Sequence, residues 1–104
     1  MKRKITEKQI EDVFEIFYEE LLEGGLTLKG RQVVLENRLR IDLLFEDKKG
    51  KNLVLELKRD AITKEDIGQI LDYAGLIKNS RVILAAPIIS KRIKIAFEHY
   101  GIEY

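Results

Sequence analysis

A chain of 104 residues and 12.1 kDa suffices for one domain, burying roughly 60 to 70% of its unfolded surface around a single core. Hydrophobic residues make up 45% and charged residues 36%, which excludes disorder as the main state. The lack of cysteine and the single histidine, His99, exclude disulfide scaffolds, thiolate metal sites and multi-histidine centres. Nineteen basic and eighteen acidic residues leave a net charge of +1, so any hold on nucleic acid must come from local patches rather than an overall field.

Thr6 to Glu23 reads as an amphipathic helix, with Ile10, Val13, Phe14, Phe17 and Leu21 at helical spacing, Thr6 as its N-cap and Gly24-Gly25 as its stop. Lys29 to Glu36 and Leu39 to Glu46 read as a strand pair turning at Asn37. In the second strand Leu39, Ile41, Leu43 and Phe45 share one parity, while Arg40, Asp42 and Glu46 share the other with Leu44. The turn-forming run Asp47 to Asn52 then predicts a hairpin, whose return strand alternates Leu53, Leu55 and Leu57 with Val54, Glu56 and Lys58. Thr63 and Asp66 form a capping-box-like start to a helix reaching about Lys78, with Asn79-Ser80 as its end. Arg81 to Ala86 is a short apolar strand stopped by Pro87, Ser90 to Tyr100 a helix closed by Gly101, and Ile102 to Tyr104 a short final strand. The order αβββαβαβ defines an α/β fold with a mixed central sheet: an antiparallel meander, then a crossover to a further strand.

Chemistry concentrates in the hairpin. Residues opposite one another across a hairpin share a face, so the register that pairs the two leucine-rich sets also brings Asp42 and Glu56 to one side. Lys58, two residues beyond Glu56, joins them by strand periodicity. Two carboxylates and a lysine suit a hard divalent cation bound beside a phosphodiester, because Mg²⁺ takes oxygen ligands, keeps several waters and accepts one or two carboxylates plus substrate phosphate. The plainer alternative is a cross-strand ion pair on a solvated sheet face.

Arg40-Ile41-Asp42-Leu43-Leu44, thirteen intervening residues, and Glu56-Leu57-Lys58-Arg59 resemble the D-x(n)-E-x-K signature of the PD-(D/E)xK nuclease superfamily, without the proline of its name. Gln69 and Tyr73, one helical turn apart in Gly68-Gln69-Ile70-Leu71-Asp72-Tyr73, resemble the QxxxY motif of RecB-like members. Ile83-Leu84-Ala85-Ala86-Pro87-Ile88 and the ending Gly101-Ile102-Glu103-Tyr104 are similar to the C-terminal catalytic domain of archaeal NucS/EndoMS endonucleases. Those enzymes also carry an N-terminal DNA-binding and dimerisation domain for which 104 residues leave no room, so mismatch or flap specificity is not carried over.

The resemblance implies one restriction-endonuclease-like domain over residues 1–104 acting as a DNA endonuclease, with Mg²⁺ as cofactor and Mn²⁺ as a substitute. It assigns catalytic roles to Asp42, Glu56, Lys58, Gln69 and Tyr73. The metal falls to Asp42, Glu56 and the Leu57 carbonyl, with Lys58 as base partner or electrostatic stabiliser. Many superfamily members direct a first-helix glutamate at the metal, which points to Glu7, with Glu11 as the neighbouring alternative; charge near a helix N-terminus would account for Glu7 equally well. Arg40 and Arg59, nearest the site, are expected to meet DNA phosphates, whereas Lys48, Lys49 and Lys51 at the hairpin tip read as solubilising charge.

The competing reading is a non-catalytic nucleic-acid-binding or assembly module that keeps the nuclease fold. Two strands of DNA call for two centres, so a homodimer is expected, which light scattering would reveal as twice the monomer mass at tens of micromolar. No apolar run approaches the roughly 18 residues of a membrane span, and Met1 to Lys4 lacks a following apolar stretch. No membrane association and a cytoplasmic location are the expectation.

Overall fold

The computed structural model describes residues 5–35, 39–76 and 80–104, with backbone alone at 64 and 73–76. The order is α1 (Glu7–Leu21), β1 (Thr27–Val34), β2 (Arg40–Glu46), β3 (Asn52–Leu57), α2 (Lys64–Leu76), β4 (Ser80–Ala85) and α3 (Lys91–Tyr100). The predicted turn at Asn37 and the helix end at Lys78-Asn79 lie outside the described residues.

Helix starts follow local chemistry. Thr6 caps α1 in a full capping box, its hydroxyl accepting from the Gln9 backbone N–H while the Gln9 side chain accepts from the Thr6 N–H. Thr63 and Asp66 exchange the corresponding bonds ahead of α2, at 2.8 Å and 3.4 Å. Ser90 caps α3, and Gly101 ends it at φ 70, a left-handed conformation that glycine adopts without a Cβ clash. No helix is long and apolar enough to cross a membrane among the described residues.

The four strands lie in the order β1-β2-β3-β4, antiparallel through the meander and parallel between β3 and β4. Parallel neighbours need a crossover, which α2 supplies. The predicted final strand is reduced to a single parallel bridge between Ile83 and Glu103, with Leu84 N–H donating to the Glu103 carbonyl and Glu103 N–H to that of Val82.

Two cores form on the two faces of the sheet. Val54, Val82 and Leu84 pack with Ile62, Ile70, Phe97 and Ile102 beneath α2 and α3. Leu43, Phe45, Leu53, Leu55 and Leu57 pack against Ile10, Phe14 and Tyr18 of α1 and Leu22 just after it, and the Tyr18 and Phe45 rings lie 5.1 Å apart. Each fully buried Leu, Ile or Phe contributes about 1.5 to 3 kcal/mol of transfer free energy.

One expectation needs correction. Simple alternation assigns Leu39, Ile41, Leu43 and Phe45 to one face, but Ile41, with Leu39 beside it, belongs to the α2/α3 core while Leu43 and Phe45 face α1. The neighbouring strand breaks in the same row. Arg31 of β1 bonds to α1, Val33 packs into the α2/α3 core, and Gln32 between them has φ 53. A left-handed residue rotates the chain so that its two neighbours no longer share a face, and it costs a non-glycine residue about 1 to 2 kcal/mol. The β1–β2 register, pairing Arg31 with Leu43 and Val33 with Ile41, sets Gln32 across from Asp42 at this switch.

Candidate active site at the split between β2 and β3

The β2–β3 ladder pairs Glu46 with Asn52, Phe45 with Leu53, Leu44 with Val54 and Leu43 with Leu55, as the leucine pattern predicts. One step further, carboxylates occupy the place of ladder bonds. Asp42 Oδ2 accepts from the Leu57 N–H at 2.8 Å, and Glu56 Oε1 accepts from the Asp42 N–H at 3.3 Å. Asp42 and Glu56 are thereby held together, Glu56 with only 3% of its surface exposed.

Asp42 is poorly placed to carry a negative charge. Burial pushes its carboxyl above the ordinary range; the Leu57 N–H and the Gln32 amide pull it back, while the nearby charges of Glu11 and Glu7 push it up again. A cation is the natural counterweight to such a group. For Lys58, burial works against the charged form, but the bond to Asp66 and the charges of Asp66, Glu56 and Glu7 outweigh it and raise the ammonium above its ordinary range. Lys58 Nζ lies 3.2 Å from Asp66 Oδ1, which ties the end of β3 to the first turn of α2. The bond to Asp66 and the surrounding carboxylates favour the charged ammonium of this lysine.

Among the described residues no three Asp, Glu, His or Cys side chains converge on a point that could hold a metal ion. The oxygen donors are the two carboxylates of Asp42 and Glu56 and the adjoining backbone. That set fits Mg²⁺, whose coordination is normally completed by water and phosphate.

Glu7 is exposed on α1 and acts on Asp42 and Lys58 through space. Glu11, one turn later, is 7% exposed and is joined to Asp42 through Gln32. Gln69 is half-buried on α2. The Tyr73 side chain lies outside the described residues. Arg40 is exposed at the start of β2, and Arg59 is exposed beyond Lys58 with Asp60 at 3.5 Å. An open apolar cleft of about 270 Å³, lined by Ile10, Phe14, Ala85, Ala86 and Pro87, adjoins Lys58.

Three participants escape a reading of the sequence. Gln32 looks like any polar strand residue, and only its backbone angle and its position opposite Asp42 reveal it. Arg31 looks like surface charge but binds Glu11, Asp12 and Glu15 on α1 at 3.2, 2.6 and 2.9 Å. Asp66 is recognisable as a capping residue, yet its second oxygen serves Lys58; the short span from β3 to α2 is the signal that could have exposed this.

No protein-family model matches the chain. Among solved structures, a repair endonuclease from Pyrococcus abyssi matches with a TM-score of 0.78 and 28% identity, over 98% of this chain and 47% of that one. EndoMS in complex with double-stranded DNA matches at 0.77 and 26%, over 99% and 45%, and EndoMS in apo form at 0.78 and 23%, over 98% and 46%. The chain spans less than half the length of each. Motifs and fold therefore agree: from end to end, this chain resembles a domain-sized part of the NucS/EndoMS repair endonucleases.

Proposed function

We propose that this domain hydrolyses phosphodiester bonds in DNA as a metal-dependent endonuclease. The reading rests on the junction of Asp42, Glu56 and Lys58 where β2 and β3 part, in a fold that matches a repair endonuclease over 98% of the chain. Asp42, Glu56 and the Leu57 carbonyl would hold Mg²⁺ or Mn²⁺, with Glu7 adding negative potential. When bound, the ion supplies charge neutralisation at the phosphate and lowers the pKa of bound water.

The chain's own residues do the remaining work. Leu57 N–H fixes one oxygen of Asp42, which orients the carboxylate before substrate arrives. Lys58, protonated and half-buried, donates hydrogen bonds to the phosphate oxygens as charge accumulates on phosphorus. Asp66 holds that ammonium in place while free of DNA and yields part of it to the phosphate. Gln69 positions a carboxylate or a DNA phosphate, Tyr73 contacts the DNA backbone, and Arg40 and Arg59 neutralise phosphates flanking the scissile one.

The deciding experiment incubates the protein with single-stranded, duplex, flap and branched DNA in Mg²⁺, in Mn²⁺ and in chelator. Cleavage that needs the metal supports the reading, and chelator-resistant cleavage overturns the mechanism. Absence of cleavage on every substrate favours the non-catalytic module. In the same assay Lys58→Ala is expected to lower turnover by about 10² or more with metal affinity retained, because only transition-state stabilisation is lost. Wild-type turnover in that variant would make Lys58 an ordinary surface charge.

A further inference from the structure

Gln32 is the only non-glycine residue with positive φ among the described residues, and it stands directly across β1–β2 from Asp42. Its amide nitrogen lies 2.7 Å from Glu11 Oε1 and 3.3 Å from Asp42 Oδ1. An amide NH₂ carries two hydrogens, one for each carboxylate; the reversed orientation would set its carbonyl against two anions. Glu11 is in turn anchored, since the same Oε1 accepts from Arg31 Nε at 3.2 Å and the Arg31 guanidinium also grips Asp12 and Glu15. A continuous chain of bonds therefore runs from α1 through Glu11 and Gln32 to Asp42, and from the other oxygen of Asp42 to the Leu57 N–H.

We infer that Gln32 is a positioning residue: its side chain holds the Asp42 carboxylate in plane between the Leu57 N–H and the α1 carboxylate, and so couples the seating of the first helix to the geometry of the site. The inference rests on the reading of Asp42 as a site residue. Two features support it beyond the bonds. The left-handed backbone at position 32 is what turns the side chain into line with Asp42 in the row where both strands change face. The amide NH₂ also offers one hydrogen to each of Glu11 and Asp42, which a hydroxyl with its single hydrogen, or an aliphatic side chain, does not.

Gln32→Gly tests the role, because glycine accepts φ 53 without strain and so removes the side chain without a backbone clash. The expected result is a cooperatively folded protein with a shifted Leu57 amide resonance whose hydrogen exchange is about tenfold faster, as Asp42 is no longer held. Mn²⁺ affinity by titration calorimetry is expected to fall by about 10- to 100-fold, the usual loss when a partner that orients a ligand is removed. DNA cleavage is expected to fall through kcat, with KM unchanged. Gln32→Ala, which keeps a Cβ, should give the same amide and metal signatures. A Leu57 amide unchanged in shift and exchange in the Gln32→Gly protein overturns the inference. The amide measurement needs no catalysis, so a wild-type protein that cuts no DNA would remove the nuclease reading and leave the coupling still tested.

Discussion

Asp42→Asn is expected to reduce DNA cleavage to background while leaving the melting midpoint unchanged or raised. The loss follows because an amide is a far weaker ligand than a carboxylate for a hard cation. The retained fold follows from electrostatics. Burial, with Glu11 and Glu7 nearby, disfavours the ionised form of Asp42 in the folded state and raises its pKa. A carboxyl whose folded pKa is raised binds its proton more tightly when folded, so stability falls as pH rises through the interval between the unfolded and folded values. The asparagine protein lacks that component, and thermal melts taken upward in pH from the ordinary carboxylate range should show a flatter profile than wild type. Glu56→Gln is expected to match it, losing activity for the same reason and keeping the fold because its carbonyl still accepts from the Asp42 N–H that Glu56 now serves at 3.3 Å. Unfolding of either variant would reassign the pair to structural work; residual cleavage near the wild-type rate would remove it from catalysis.

The second large effect is on stability and lies at the other end of the hairpin. Arg81, at the start of β4, binds Glu23 at 2.7 Å, Asp47 at 3.2 Å and Glu103 at 2.7 Å, joining the segment after α1, the hairpin turn and the C-terminal bridge. The Asp47 side chain is 5% exposed and also accepts from the N–H groups of Lys49 and Lys51. Arg81→Met leaves three carboxylates facing one another, Glu23 and Glu103 partly exposed and screened by water, and Asp47 buried without the cation it now meets. The melting midpoint is expected to drop by roughly 5 °C or more, given several degrees per kcal/mol in a domain of this size. The Arg81 bond holds Glu23 below the ordinary carboxylate range; for Asp47 burial opposes ionisation, but the Lys51 N–H, Arg81 and the Lys49 N–H prevail. Depressed carboxylates contribute stability that is present above their unfolded values and lost as pH falls through the folded ones. Wild type should therefore lose the difference from Arg81→Met only in acid. A change of less than about 2 °C would show that the cluster is no more than solvated surface charge.

The sequence made the meander, the crossover and the pairing of Leu43 with Leu55 legible, because period-two leucines fix register wherever a face is buried. Asp42, Glu56 and Lys58 could be grouped on the same argument. Strict alternation, however, assumes an unbroken strand, and the left-handed turn of the chain at Gln32 breaks β1 in the same row in which β2 changes face at Asp42. No propensity forecasts that angle for a glutamine, because it is sustained by tertiary bonds to Glu11 and Asp42. Asp66 illustrates a related blind spot. A residue that explains its own helix cap raises no further question in a sequence, although its remaining oxygen is free to hold Lys58.

The break in β1 has a consequence for the solution behaviour of the protein. β1 is an outer strand of the sheet, and a long, flat outer strand invites a stranger to add itself by main-chain pairing. Here the register shifts between Leu28 and Gly30, the chain twists again at Gln32, and Lys29 and Arg31 lie along the same stretch. Irregular, charged outer strands make poor templates for fibrils and for domain exchange. The kink that brings Gln32 to Asp42 thus also guards against aggregation, and straightening it for stability would make the protein stickier.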